Sequence, residues 1–98
     1  MARANSDTLP AAAAIADVSL PANVDLHARP AADFVRTAMR FESNIHVCAG
    51  EREVDAKSLL SVLALGARRG TLLRLSADGP DAANAVQTLA AAVAAFSE

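Results

Sequence analysis

The period of apolar residues changes from segment to segment along this chain, and that succession restricts the fold more than any other feature. Ala16, Val18 and Leu20 alternate with Asp17 and Ser19, the mark of a half-buried strand, which Pro21 ends. After Pro30 the spacing becomes helical. Ala31, Phe34, Val35, Ala38 and Met39 fall on one side, and Asp33, Arg36, Thr37 and Arg40 on the other. Alternation returns from Ser43 to Ala49, with Ile45, Val47 and Ala49 opposite Asn44, His46 and Cys48. A turn at Ala49-Gly50-Glu51-Arg52 and a returning strand from Glu53 to Ala56, with Val54 inward, make a hairpin. A helix follows from Ser58 to Leu65, closed by Gly66, and then a strand from Thr71 to Ala77 with Leu73, Leu75 and Ala77 on one face. Asp78-Gly79-Pro80-Asp81 opens the last helix, with Pro80 expected in its first turn; Ala82, Val86, Leu89, Ala90, Val93 and Phe96 carry it onward. The order strand, helix, strand, strand, helix, strand, helix predicts an α+β two-layer sandwich, its antiparallel or mixed sheet bearing the helices on one face.

Ninety-eight residues suffice for one domain with one core. Many apolar positions are alanine, so packing rests on Leu, Ile, Val and three Phe. A formal charge of −2 and the lack of Tyr and Trp leave no footprint for nucleic acid or an anionic membrane surface. Cys48 is the single cysteine, so no internal disulfide forms and a reducing, cytoplasmic setting is expected. His27, His46 and Cys48 do not have metal-ligand spacing. Residues 1–13 are too short and too interrupted, by Asp7 and Pro10, for a signal peptide or membrane span. They read as a disordered extension ahead of a domain over residues 14–98.

Two stretches carry more than a fold requires. In Leu26-His27-Ala28-Arg29-Pro30-Ala31 a histidine stands where the chain enters a helix. The first helical turn has N–H groups without intrahelical partners and a partial positive charge, which suit a phosphate. Pro30 fits there because it forfeits only an N–H that would be unpaired. Arg29 adds a planar charged fork, and the neutral His27 ring offers a nucleophilic lone pair. Ala28 and Arg29 would supply the amides of a phosphate nest. In the second stretch, Leu59, Leu60, Val62, Leu63 and Leu65 crowd two turns of helix. If Val62 and Leu65 point inward, Leu59, Leu60 and Leu63 face outward as an apolar patch of the kind that meets a partner.

These two motifs resemble those of HPr, the histidine-containing phosphocarrier family of the phosphoenolpyruvate-dependent sugar phosphotransferase system. Leu26-His27-Ala28-Arg29-Pro30-Ala31-Ala32 is similar to the family's phosphohistidine motif. Ala56-Lys57-Ser58-Leu59-Leu60, then Leu63-Ala64-Leu65-Gly66 and Gly70-Thr71, resemble its serine-site helix and the turn beyond. The resemblance implies an open-faced sandwich of order βαββαβα, with a four-stranded antiparallel sheet and three helices on one face. It implies that His27 takes a phosphoryl group from Enzyme I, a phosphoenolpyruvate-dependent protein kinase, and passes it to an Enzyme IIA-type histidine, with Arg29 stabilising the group. The chain would be a monomeric, cofactor-free carrier, not a stand-alone catalyst. Leu59, Leu60 and Leu63 would dock partners, with Lys57 and Arg36 as basic rim groups. Ser58 matches the site of a regulatory kinase, HPr kinase, and equally serves as a helix cap.

Asp25 departs from the glycine that the family commonly has before the Leu-His pair. Its carboxylate is either engaged in the loop or solvent, or it modulates the charge of His27. The other function weighed is an HPr-like docking or regulatory module acting through the Leu59–Leu63 patch, including one in the dihydroxyacetone kinase branch. Met1 favours a free-standing chain over a module of a multiphosphoryl transfer protein.

Overall fold

The computed structural model describes residues 13–97. The expected extension, but for Ala13, lies outside the described residues. The elements are β1 (Ala14–Ser19), α1 (Ala28–Ala38), β2 (Asn44–Ala49), β3 (Arg52–Asp55), α2 (Leu59–Leu65), β4 (Leu72–Asp78) and α3 (Ala82–Ala94). The strands form one sheet in the order β1-β4-β2-β3, with every neighbouring pair antiparallel. The sequence-based fold, an open-faced α+β sandwich, is the one observed.

Register explains the two faces. Val18 pairs with Leu73 and Val47 with Leu75, placing apolar side chains on the helix-bearing side. On the other side Asp17 stands opposite Arg74 and bonds its Nε at 3.0 Å. Leu20, Leu26, Phe34, Ile45, Leu73, Leu75 and Leu89 are fully buried between the layers. Each contributes about 1.5–3 kcal/mol of burial. His46 is exposed on the open face, as its alternation predicts.

Two local expectations fail. Met39 does not join the buried stripe of α1 and is 63% exposed. Ala31, Phe34, Val35 and Ala38 centre that stripe, Met39 falls at its edge, and the helix ends there, with Met39 as C-cap. Pro80 does not occupy the first turn of α3, because Asp81 is the N-cap and Pro80 precedes it.

The Asp81 carboxylate makes no cap bond with its own helix. It instead accepts the Ser43 N–H at 2.9 Å, the Ser43 hydroxyl at 2.5 Å and the Glu42 N–H at 2.9 Å. This junction ties the loop before β2 to the start of α3, and Ser43 is the one buried polar side chain among the described residues. The Ser43 hydroxyl, then the Glu42 and Ser43 amides, hold the Asp81 carboxyl below its ordinary value of 3.8. A depressed folded value means stability that is present above the ordinary value and lost as pH falls through the folded one. The denaturation midpoint of the wild type is therefore expected to fall between about pH 5 and about pH 3 by more than that of Asp81→Ala. Urea titrations at both pH values check this; parallel falls would place the acid sensitivity elsewhere.

Candidate functional site

The loop from β1 to α1 is set by alternation at its end. Val24 and Leu26 are fully buried, so Asp25 and His27 between and after them turn outward. The Leu26 N–H donates to Ala67 O at 3.0 Å, fastening the loop to the segment after α2. His27 is the N-cap of α1 with extended backbone, φ −144° and ψ 173°, and its side chain makes no cap hydrogen bond. The exposed imidazole is left for chemistry.

The His27 N–H is spent on Asp25 O at 3.0 Å, so the histidine's own amide is not part of an anion site. The next two amides, of Ala28 and Arg29, have no hydrogen-bond partner among the described residues, and Pro30 has none to offer. Ala31 N–H reaches back to His27 O at 3.5 Å. Ala28 has φ +47°, a left-handed conformation costing a non-glycine residue about 1–2 kcal/mol. Two donors thus stand open at the positive end of α1, in the two residues that follow His27. Arg29 is exposed, and its guanidinium has no acidic partner among the described residues.

The second motif meets the first. A shallow hollow of about 270 Å³ is walled by Asp25, Leu26, His27, Leu63, Gly66, Ala67 and Arg68. Val62 and Leu65 of α2 point inward, whereas Leu59, Leu60 and Leu63 are 42%, 80% and 38% exposed. The outward leucines therefore begin at the lip of the histidine's hollow. Ser58 caps α2, its Oγ accepting the Ser61 N–H at 3.2 Å, and Gly66 closes the helix at φ +67°. Arg52 Nη2 donates to Ala64 O at 3.0 Å in the last turn of α2.

The two expected rim cations differ in availability. Arg36 is exposed and bonds Asp33 on its own helix. Lys57 is half-buried and donates Nζ to Phe41 O at 2.6 Å, linking the turn before α2 to the turn after α1. Sequence reasoning missed Arg68 and the partner of Asp25. The Asp25 carboxylate accepts the Arg69 N–H at 2.7 Å and its guanidinium Nε at 3.4 Å, so Asp25 is engaged by the loop that carries Arg69. The paired arginines before Gly70 were the one available signal, and nothing local ties them to residue 25.

Comparison with known proteins agrees with the geometry. The family model described as "PTS HPr component phosphorylation site" matches residues 15–95. The chain is 44% identical over 77 residues to the phosphocarrier protein HPr of Haemophilus influenzae, covering 79% of this chain and 91% of that one. It is 46% identical over 71 residues to a multiphosphoryl transfer protein of Vibrio cholerae, covering 69% of this chain and 18% of that one. Among solved structures, HPr-C-His of Thermoanaerobacter tengcongensis superposes with a TM-score of 0.79 at 36% identity, covering 83% of this chain and 91% of that one. An exposed histidine at the head of a helix, open amides in the two residues after it, an arginine two residues on and this topology occur here in a chain that belongs to the HPr family.

Proposed function

We propose that this chain is a phosphocarrier and that His27 carries the phosphoryl group. The observation that supports this reading best is the exposed imidazole at the head of α1, beside the unpartnered Ala28 and Arg29 amides. A ring nitrogen, Nδ1 by the family resemblance, attacks the phosphorus of a donor phosphohistidine. The donor N–P bond breaks as the new N–P bond forms, and the group moves on by the reverse step. Such transfers depend on in-line placement and on cancelling charge. The two amides, the α1 dipole and Arg29 supply the cancelling charge on the carrier's side.

The carrier works with phosphotransferase-system partners. The donor is of the Enzyme I type, and the acceptor is of the Enzyme IIA or dihydroxyacetone kinase type. Leu59, Leu60 and Leu63 form the apolar docking face, and Arg36 and Lys57 add positive charge to its rim. Residues 14–98 act as one unit, in the cytoplasm. No helix among the described residues is long and apolar enough to cross a membrane.

The decisive experiment mixes the protein with Enzyme I and labelled phosphoenolpyruvate. Acid-labile, base-stable label at His27 is expected; label elsewhere, or none, overturns the proposal. Docking is read separately with Leu60→Asp. Because Leu60 is 80% exposed, stability is expected to stay within about 0.5 kcal/mol of wild type. The KM for the carrier with Enzyme I is expected to rise about tenfold, which steady-state kinetics check.

A further inference from the structure

Asp25 grips two parts of the molecule at once. Its carboxylate crosses to the turn between α2 and β4, where Oδ1 accepts the Arg69 backbone N–H at 2.7 Å and Nε at 3.4 Å, and Oδ2 accepts Nη2 at 3.5 Å. Its main-chain oxygen accepts the His27 N–H at 3.0 Å. The receiving turn is itself fixed. Thr71 N–H donates to Arg68 O at 2.9 Å, Arg68 N–H donates to Thr71 Oγ1 at 3.2 Å, and Gly70 N–H donates to Pro21 O at 3.2 Å. Asp25 therefore lies between a rigid support and the histidine.

Two consequences follow for the site. Ala28, three residues on, is held at φ +47°, and such a conformation persists only where its surroundings impose it. The clamp on Asp25 is part of those surroundings, and with it the open Ala28 and Arg29 amides stay beside the ring. The second consequence is electrostatic. A bare carboxylate two residues from His27 would repel an arriving phosphoryl group, and the Arg69 guanidinium offsets that charge. The Arg69 backbone N–H, followed by its side chain, holds the Asp25 carboxyl below the usual carboxylate range, so the clamp is ionised at neutral pH.

We propose that Asp25 is a positioning residue for phosphoryl transfer: pinned to Arg69, it holds His27 and the Ala28 and Arg29 amides in working geometry while Arg69 cancels its charge. This rests on His27 being the phosphoryl acceptor.

The test compares wild type, Asp25→Ala, Asp25→Asn, Arg69→Ala and the double variant Asp25→Asn/Arg69→Ala as full-length proteins. Enzyme I and labelled phosphoenolpyruvate give kcat and KM for the carrier, and proton–nitrogen spectra follow the Ala28 and Arg29 amides. Asp25→Ala is expected to lower kcat about tenfold with little change in KM, and to shift both amide resonances. Asp25→Asn keeps an acceptor for the Arg69 N–H and is expected to retain most of the rate, which also guards against misfolding of the alanine variant. Arg69→Ala removes the guanidinium that offsets the carboxylate and is expected to slow transfer, and adding Asp25→Asn is expected to restore it in part. Wild-type kcat in Asp25→Ala, a change in KM alone, or unmoved amide resonances would each overturn the proposal. A wild-type protein that takes no label at His27 overturns the acceptor assignment instead, and the amide resonances then decide the clamp by themselves.

Discussion

A His27→Ala variant is expected to fold as the wild type does and to take up no phosphoryl group. The imidazole is exposed and makes no cap bond, so its removal empties no core space and orphans no partner. Stability is expected to stay within about 0.5 kcal/mol of wild type. The loss of acceptance is expected to be complete, because the one other histidine stands apart from the site. His46 lies on the open face of the sheet, across the β2–β4 ladder from Ser76 and outside the hollow that His27 walls. Intact-mass measurement after incubation with Enzyme I and phosphoenolpyruvate reads the result. Label surviving in the variant would mean that the phosphoryl group sits on another residue.

Gly79→Ala is expected to cause the largest loss of stability from a single added methyl group. Gly79 has φ +142°, a region essentially closed to other residues, and a Cβ there would stand 2.6 Å from both Cα and Oγ of Ser43. Ser43 has nowhere to retreat, because its hydroxyl and amide are both committed to Asp81. Strain and overlap together are expected to cost about 2–4 kcal/mol. For a domain of this size that lowers Tm by roughly 10–20 °C. Gly50→Ala is the control, since a Cβ there meets nothing within 4 Å and only its φ of +63° resists, at about 1–2 kcal/mol. Calorimetry of the two variants separates crowding from backbone strain. A Gly79→Ala protein melting no lower than Gly50→Ala would mean that the Ser43–Asp81 junction yields easily.

The sequence made the element order readable because burial on one face leaves a period of two in strands and about 3.6 in helices. It also exposed the histidine site, since the head of a helix is a local structure and His27, Ala28, Arg29 and Pro30 are consecutive. The outward leucines were readable for the same reason: seven residues of α2 cannot all face one core. What escaped were the cross-links. Asp25 meets Arg69 across 44 positions, and Asp81 meets Ser43 across 38. Neither pair leaves a periodic trace. The Pro80 error has the same origin, because the loop's claim on Asp81 fixes where α3 begins. Met39 was misplaced because a helical wheel does not record where the helix stops.

Leu63 and His27 share the walls of a single hollow. On the function proposed above, a partner that seats on α2 would roof the imidazole in the same movement. Choosing the right protein and shielding a labile N–P bond on His27 from hydrolysis would then be one event, and a passer-by that failed to grip the leucines would leave the cargo uncovered and untouched.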